Sequence, residues 1–405
     1  MPFEDNTYAY NYPVRANNSY QPTGVAVSFT PAVLANGQTA TFQAGFPAPV
    51  PINIPSNGII SASGPLLSQV FFVIPKNYQN PYVESWNVAV QQAFPAQFSL
   101  QLSYVGNHGV RIGSAQNINL PPALGLGAAG EPENIAFKRT AATNQYFLGF
   151  SSNYQALQAQ LTRRFTNGLA TQTAFTWGKG LGYQSSDDGG LTFWLDQRHN
   201  YAANDYDRRL NFEESFTYEL PFGKGKRWLS SGFSSVALGG WKLAGIISVV
   251  SGTPFTVTAN GGTINTPGQT QTANLVKPFH ALHGIGTAHN WFDPSSFTQP
   301  VGCTGTPCPI QYGVTMGSAG RNQFFGPGFI QDNISAFKSF PIWESVSLET
   351  RVDAFQLSNS PQFANPSNSI TSTTFGQVTS TTSSGSGVNG TGGGRALQLS
   401  GTIRF

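Results

Sequence analysis

Charge is what this sequence most lacks. Asp, Glu, Lys and Arg make up 10% of its 405 residues, against roughly 25% in an average soluble domain. A water-facing surface takes most of a protein's charge, so a large surface here faces something other than water. The few charges nearly cancel, 21 Lys and Arg against 18 Asp and Glu. No basic stripe is left for a phosphate backbone, which excludes nucleic acid as a partner. Long apolar runs are missing too: a stretch such as Leu243–Val250 has eight residues, and a spanning helix needs about 20. Met is scarce, and Lys and Glu are few, which argues against long surface helices. The nucleophile elbow G-x-S-x-G, the zinc motif H-E-x-x-H and a Walker loop are absent, and no glycine-rich dinucleotide fingerprint opens a helix, so neither an enzyme nor a cofactor is expected. The opening residues, MPFEDNTYAYNYPV, contain no basic n-region and no apolar h-region. This predicts either a cytoplasmic chain or one that lacks its true start.

What is abundant is aromatic: 31 Phe, 14 Tyr and 7 Trp, 13% of the chain. A mean hydropathy of −0.18 is compatible with a membrane protein whose apolar half is hidden in alternate positions. That alternation is present. Phe98, Leu100, Leu102 and Tyr104 share one face against Ser99, Gln101 and Ser103. The same period recurs over 154–165, 169–177 and 212–220, and again over 346–353 and 396–405. Weaker candidates at 82–94, 241–250 and 330–340 bring the reading to nine strands.

The connections alternate in length. Pro95-Ala96, Thr166-Asn167-Gly168 and 341–344 are short, and Asn-Gly is a strong hairpin signal. A longer connection on the same side, 221–240, contains PFGKGKRW. On the other side the connections are long and rich in Gly, Asn, Ser, Thr and Pro: 106–152, 180–207, 259–328 and 358–394. Short turns on one rim and long loops on the other describe an outer-membrane barrel with periplasmic turns and extracellular loops. The expected fold is therefore all-β: an antiparallel transmembrane β-barrel portion of nine or ten up-and-down strands. Residues 82–405 form the strands, and residues 1–81 are mostly extracellular loop, with Gly24–Thr30 and Leu66–Ile74 as candidates for one further strand. Parity puts Phe405 at the periplasmic rim. Leu397, Leu399, Ile403 and Phe405 then form the C-terminal amphipathic ending that the barrel insertion machinery reads. Aromatics near strand ends, Tyr104, Trp177, Trp241, Phe255, Phe340 and Trp343, are expected in girdles facing outer-membrane lipid.

Two other readings stay open. A small porin-like or adhesin barrel would work by itself. A secreted soluble β-protein binding glycans through Trp and Tyr would alternate equally well, but would carry a charged outer face.

Six segments, taken in order, carry a family resemblance. They are NPYVESWNVAVQQAFPAQFSLQLSYVGNHG (80–109), NYQALQAQLTRRFTNGLATQTAFTWGKGL (153–181), NDYDRRLNFEESFTYELPFGKGKRWL (204–229), GGWKLAGIISVVSGTPFTV (239–257), GSAGRNQFFGPGF (317–329) and RVDAFQLSNSPQFANP (351–366). Residues 67–405 resemble the C-terminal barrel portion of Oar-like TonB-dependent receptors. The resemblance implies residence in the outer membrane of a Gram-negative bacterium, a barrel typically of 22 strands, an N-terminal plug, and uptake energised through TonB. The sequence has no plug and no TonB box, so the expectation is the C-terminal fragment of a longer receptor, an incomplete barrel without the N-terminal strands. Loop composition does not encode the external ligand.

Local clusters have competing readings. Cys303 and Cys308, in CTGTPC, fit a disulfide stapling an external loop, against metal binding or free thiols. His280, His283 and His289 are metal ligands only if a closed geometry gathers them, and are otherwise solvated. Asp187, Asp188, Asp196, Asp205 and Asp207 are either a polar loop or oxygen ligands for calcium. Asp207-Arg208-Arg209 is read as a structural element at the loop–barrel boundary. Glu349, Arg351, Asp353 and Arg404 occupy polar, inward positions, as ordinary paired charges or as contacts to a plug. The disulfide reading predicts an intact mass lower by two hydrogens without reductant; alkylation of both thiols would refute it.

Overall fold

The computed structural model describes residues 70–73, 79–185, 191–303, 309–343, 345–382 and 394–405. Nine long strands dominate it: β1 (Tyr82–Phe94), β2 (Phe98–Asn117), β3 (Thr143–Thr166), β4 (Leu169–Gly182), β5 (Leu210–Glu219), β6 (Trp241–Val250), β7 (Phe329–Trp343), β8 (Val346–Phe355) and β9 (Ala396–Arg404). Each is antiparallel to the next in chain order. The sheet is open, with β1 and β9 at its two edges.

Register explains why the pattern is so regular. Directly opposed residues share a face of the sheet. One row reads Val90, Leu102, Ala159, Phe175, Phe212, Val249, Ile330 across β1 to β7. The next row, one residue along, reads Gln91, Gln101, Gln160, Ala174, Glu213, Ser248, Gln331. A slip of one residue would put polar side chains among lipid tails, Gln in β1 to β4 and Glu213, Lys242 or Arg351 in β5, β6 and β8, so the register is strongly specified. The apolar row is the outer, lipid-facing surface, and the polar row lines the lumen. Residues 167 and 168, the predicted Asn-Gly turn, both have positive φ, 51° and 80°, as the favoured two-residue hairpin requires.

Several predicted boundaries need correction. β2 continues to Asn117 and β3 starts at Thr143, so the loop expected at 106–152 shrinks to 118–142, containing helix α1 (Pro132–Phe137). Past the apolar band both faces meet polar surroundings, so alternation stops while the backbone ladder continues. The 180–207 loop occupies 183–209, with Ala202–Ala203 pairing back onto β4. The other two long loops span 251–328 and 356–395. Phe71–Val73 pairs parallel with Thr143–Gln145, so it is not an up-and-down wall strand; Gly24–Thr30 lies outside the described residues. The turn between β5 and β6 carries helix α2 (Gly232–Leu238).

Among the described residues, the hydrophobic core cluster lies in the loops and not in the wall. Phe255, Val257, Trp291, Phe292, Phe297, Phe324 and Val378 are buried together, with Phe279, Phe363 and Phe375 packed against them. Phe279 and Phe324 rings lie 4.6 Å apart, and Phe292 and Phe297 5.5 Å apart. Two small ladders frame the cluster, Pro254–Phe255 with Phe324–Phe325 and Asn274–Leu275 with Phe297–Thr298. The 356–395 segment joins it through a Thr258 to Ser369 bridge. Phe255, expected in an aromatic girdle, is instead 4% exposed in this core. The long loops therefore form a folded layer above the wall. Phe292→Ala should destabilise that layer by about 3–5 kcal/mol. Limited proteolysis should then cut within 251–328, whereas Leu399→Ala, on the lipid face, should leave the layer resistant.

Candidate ligand-binding surface

Two features offer candidate polar surface: the inner wall and the contacts between the loop layer and the wall. On the inner wall, Asp353 pairs in register with Ser335 and Gln398, Arg351 with Phe337 and Ser400, and Glu349 with Ser339 and Thr402. Arg351 Nε donates to Asp353 Oδ1 at 2.7 Å and its Nη2 to Ser335 Oγ at 3.2 Å, while the Ser335 hydroxyl also donates to Asp353. Arg404 Nη2 lies 3.0 Å from Glu349 Oε2. All four sequence-predicted inward residues thus sit on the polar face and neutralise one another in two pairs. Ser335, Arg351 and Asp353 line a cavity of about 600 Å3 that extends across β3 to β8. Leu397, Leu399 and Ile403 project from the opposite face and are exposed, as is Phe405.

The loop layer is tied to the wall by an arginine whose role the sequence did not signal. Arg321, in GSAGRNQFF, is buried, and its Nη1 donates to the carbonyls of Gly182 at 3.0 Å and Asn200 at 2.9 Å. Nη2 donates to Ser185 Oγ at 2.8 Å and reaches Asp205 Oδ1 at 3.4 Å. Burial lowers its pKa from the ordinary value, and the Asp205 carboxylate offsets part of that. The charge persists at any physiological pH. Beside it Asn322 Nδ2 donates to the Ala203 carbonyl at 2.8 Å. The 118–142 loop docks as well, Gly125 N donating to Ile264 O at 3.0 Å and Gly127 N to Asn265 O at 2.7 Å. Asp207 fixes the start of β5, accepting from Gly180 N and Arg209 Nε, both at 2.7 Å.

This architecture, an antiparallel wall with one apolar and one polar face joined to a folded layer of long loops, agrees with a family match. Residues 2–398 match the outer membrane beta barrel domain. The chain belongs to that family. It is accordingly a β-barrel protein of the Gram-negative outer membrane. No curated protein matches its sequence. Among solved structures, the barrel domain is similar to the outer membrane transporter YddB from Escherichia coli, at TM-score 0.44 and 8% identity over 83% of this chain and 34% of that one. It is similar to P. aeruginosa FpvA bound to heterologous pyoverdines, at 0.38 and 10% over 80% and 27%. For the FrpB iron transporter from Neisseria meningitidis the values are 0.35 and 10% over 84% and 33%. The chain spans about a third or less of the length of these structures.

The remaining candidates of the barrel domain are not gathered into a site. His280, His283 and His289 are all exposed, and His283 makes an edge contact with Trp291, ring centres 4.9 Å apart. Among the described residues no group of three His, Cys, Asp or Glu side chains is placed to hold a metal. Asp187 and Asp188 lie outside the described residues; Asp196 pairs with His199 at 2.7 Å. Cys303 is buried and disulfide-bonded, and Cys308 lies outside the described residues.

Asp205 is largely in water, so the backbone carbonyls account for most of Arg321's contribution. Arg321→Ala should weaken closure of the layer on the wall by about 1–3 kcal/mol, the cost of leaving buried acceptors unpaired. Hydrogen exchange should report lost protection at 200–205 and 319–325 with β8 and β9 unchanged; uniform loss would contradict a local role.

Proposed function

We propose that the chain is the wall and external-loop portion of a TonB-dependent outer-membrane receptor, which captures a ligand outside the cell and admits it by energised uptake. The folded external layer carries this reading. Ordinary surface loops have no core, whereas this layer buries an aromatic cluster and is anchored to the wall by Arg321, so it presents a preorganised surface to the outside. Family membership supplies the membrane. The six segments that resemble Oar-like receptors supply the transporter class.

In the full-length protein a plug domain would occupy the lumen, and TonB would supply the work of moving it. Glu349, Arg351, Asp353 and Arg404 face that volume. The two sheet edges fit a wall that continues into further strands, because an open edge in hydrocarbon leaves N–H and C=O groups without partners. The reading assigns the chain no catalytic step.

The competing reading is a self-sufficient porin-like barrel. In planar bilayers the refolded chain should show no reproducible unit conductance; steady single-channel steps would overturn the receptor assignment. The reading frame upstream of Met1 should encode a plug and TonB box, and a promoter and ribosome site directly before Met1 would count against it.

A further inference from the structure

Lys338 is the least expected residue on the outer wall. It lies on the lipid-facing side of β7, opposite Trp241 and Thr350, yet it is buried. Its cover is α2. Lys338 Nζ donates to the Val236 carbonyl and, at 3.1 Å, to the Ala237 carbonyl, the last turn of that helix, where a cation is favoured. The ammonium also sits over the rings of Phe340 at 4.7 Å and Trp241 at 5.8 Å. Trp241 Nε1 donates to the same Ala237 carbonyl at 3.2 Å. The helix is therefore pinned to the outside of the wall, at the rim of the short turns, rather than hanging into the periplasm or the lumen.

Its free side is apolar. Phe233 is 86% and Val236 68% exposed, one helical turn apart on one face. Trp228 and Leu229 in the approach to the helix are also exposed. Around them the charge has one sign: residues 221–240 hold Lys224, Lys226 and Arg227 and no Asp or Glu. Lys226 is engaged by Glu219 at 2.9 Å, and Lys242 holds the other oxygen of that carboxylate, also at 2.9 Å. Lys224 and Arg227 are left facing outward, Arg227 lying over the Trp228 ring at 5.6 Å.

An apolar helix face flanked by cations, continuous with a wall that already faces lipid, matches a membrane interface. We propose that the 221–240 turn is a lipid anchor: α2 lies in the headgroup boundary of the periplasmic leaflet, Phe233 and Val236 enter the acyl region, and Lys224 and Arg227 bind phosphates of anionic phospholipid. Lys338 holds the helix at that depth from the protein side.

A nitroxide label tests this on the full chain, refolded into vesicles of phosphatidylethanolamine and phosphatidylglycerol and checked by its heat-modifiable migration. Cys303 is disulfide-bonded, so an introduced cysteine is the labelling site. A label at Phe233→Cys should be several-fold more accessible to oxygen, relative to a water-soluble nickel chelate, than a label at Val301→Cys in the external layer. Replacing phosphatidylglycerol with phosphatidylcholine should shift the Phe233 label toward water, and K224Q/R227Q should abolish that dependence. A Phe233 label as nickel-accessible as the Val301 label would overturn the anchor, as would protection found only at high protein-to-lipid ratio, which indicates a second copy. Deep burial insensitive to lipid charge would overturn the role of Lys224 and Arg227.

Discussion

A backbone inside a hydrocarbon slab has no water to bond, and every other feature of this chain follows from how that is resolved. Between its two edges the wall pairs backbone N–H and C=O groups with a neighbouring strand, as hydrocarbon demands, which fixes an antiparallel meander and, with it, two faces of opposite character. Apolar side chains on the outer face gain by contact with lipid and cannot also cohere with one another across the lumen. The chain's cohesive burial is consequently displaced to the external layer, where Phe255, Phe279, Phe292, Phe297 and Phe324 pack as a small globular protein would pack them. The molecule thus has two solvents and two kinds of hydrophobic stabilisation, one for each half.

The polar half of the wall obeys the same constraint. Arg351 with Asp353, and Arg404 with Glu349, are charges in a lumen, and each finds its partner on its own or the adjacent strand. Charges that stray to the lipid face are handled case by case. Glu214 sits there and accepts from the hydroxyls of Thr171 and Thr173. Asp332, in the same row across Ile247, accepts from Ser358 N at 3.0 Å and from its hydroxyl at 2.9 Å.

The wall was legible in the sequence because its rule is local. Period-two alternation needs only neighbouring residues, and it located all nine strands in the order in which they pair. Strand length was not legible, since the signal depends on contact with lipid: at Gly106, Asn107, His108 and Gly109 the alternation fades while the ladder to β3 continues. The external core was hidden for a different reason. Its phenylalanines are scattered among Gly, Pro and Asn with no period, and only tertiary folding brings residues near 255, 292, 324 and 375 together. Arg321 reads as one more polar loop residue, because two of its four partners are backbone carbonyls and the other two, Ser185 and Asp205, lie more than 110 residues away. The lipid-face acids Glu214 and Asp332 interrupted the alternation without betraying the hydroxyls that receive them.

The 24 residues of β3 also set a height. At about 3.3 Å per residue and a tilt near 45°, such a strand rises roughly 30 Å beyond a hydrocarbon band about 25 Å tall. Only the β2–β3 hairpin and the 118–142 loop at its tip reach that far: β6 ends at Val250, and Phe255 of the loop core follows five residues later. The hairpin is thus a stiff post whose tip is tied to the loop layer through the Gly125 to Ile264 and Gly127 to Asn265 hydrogen bonds.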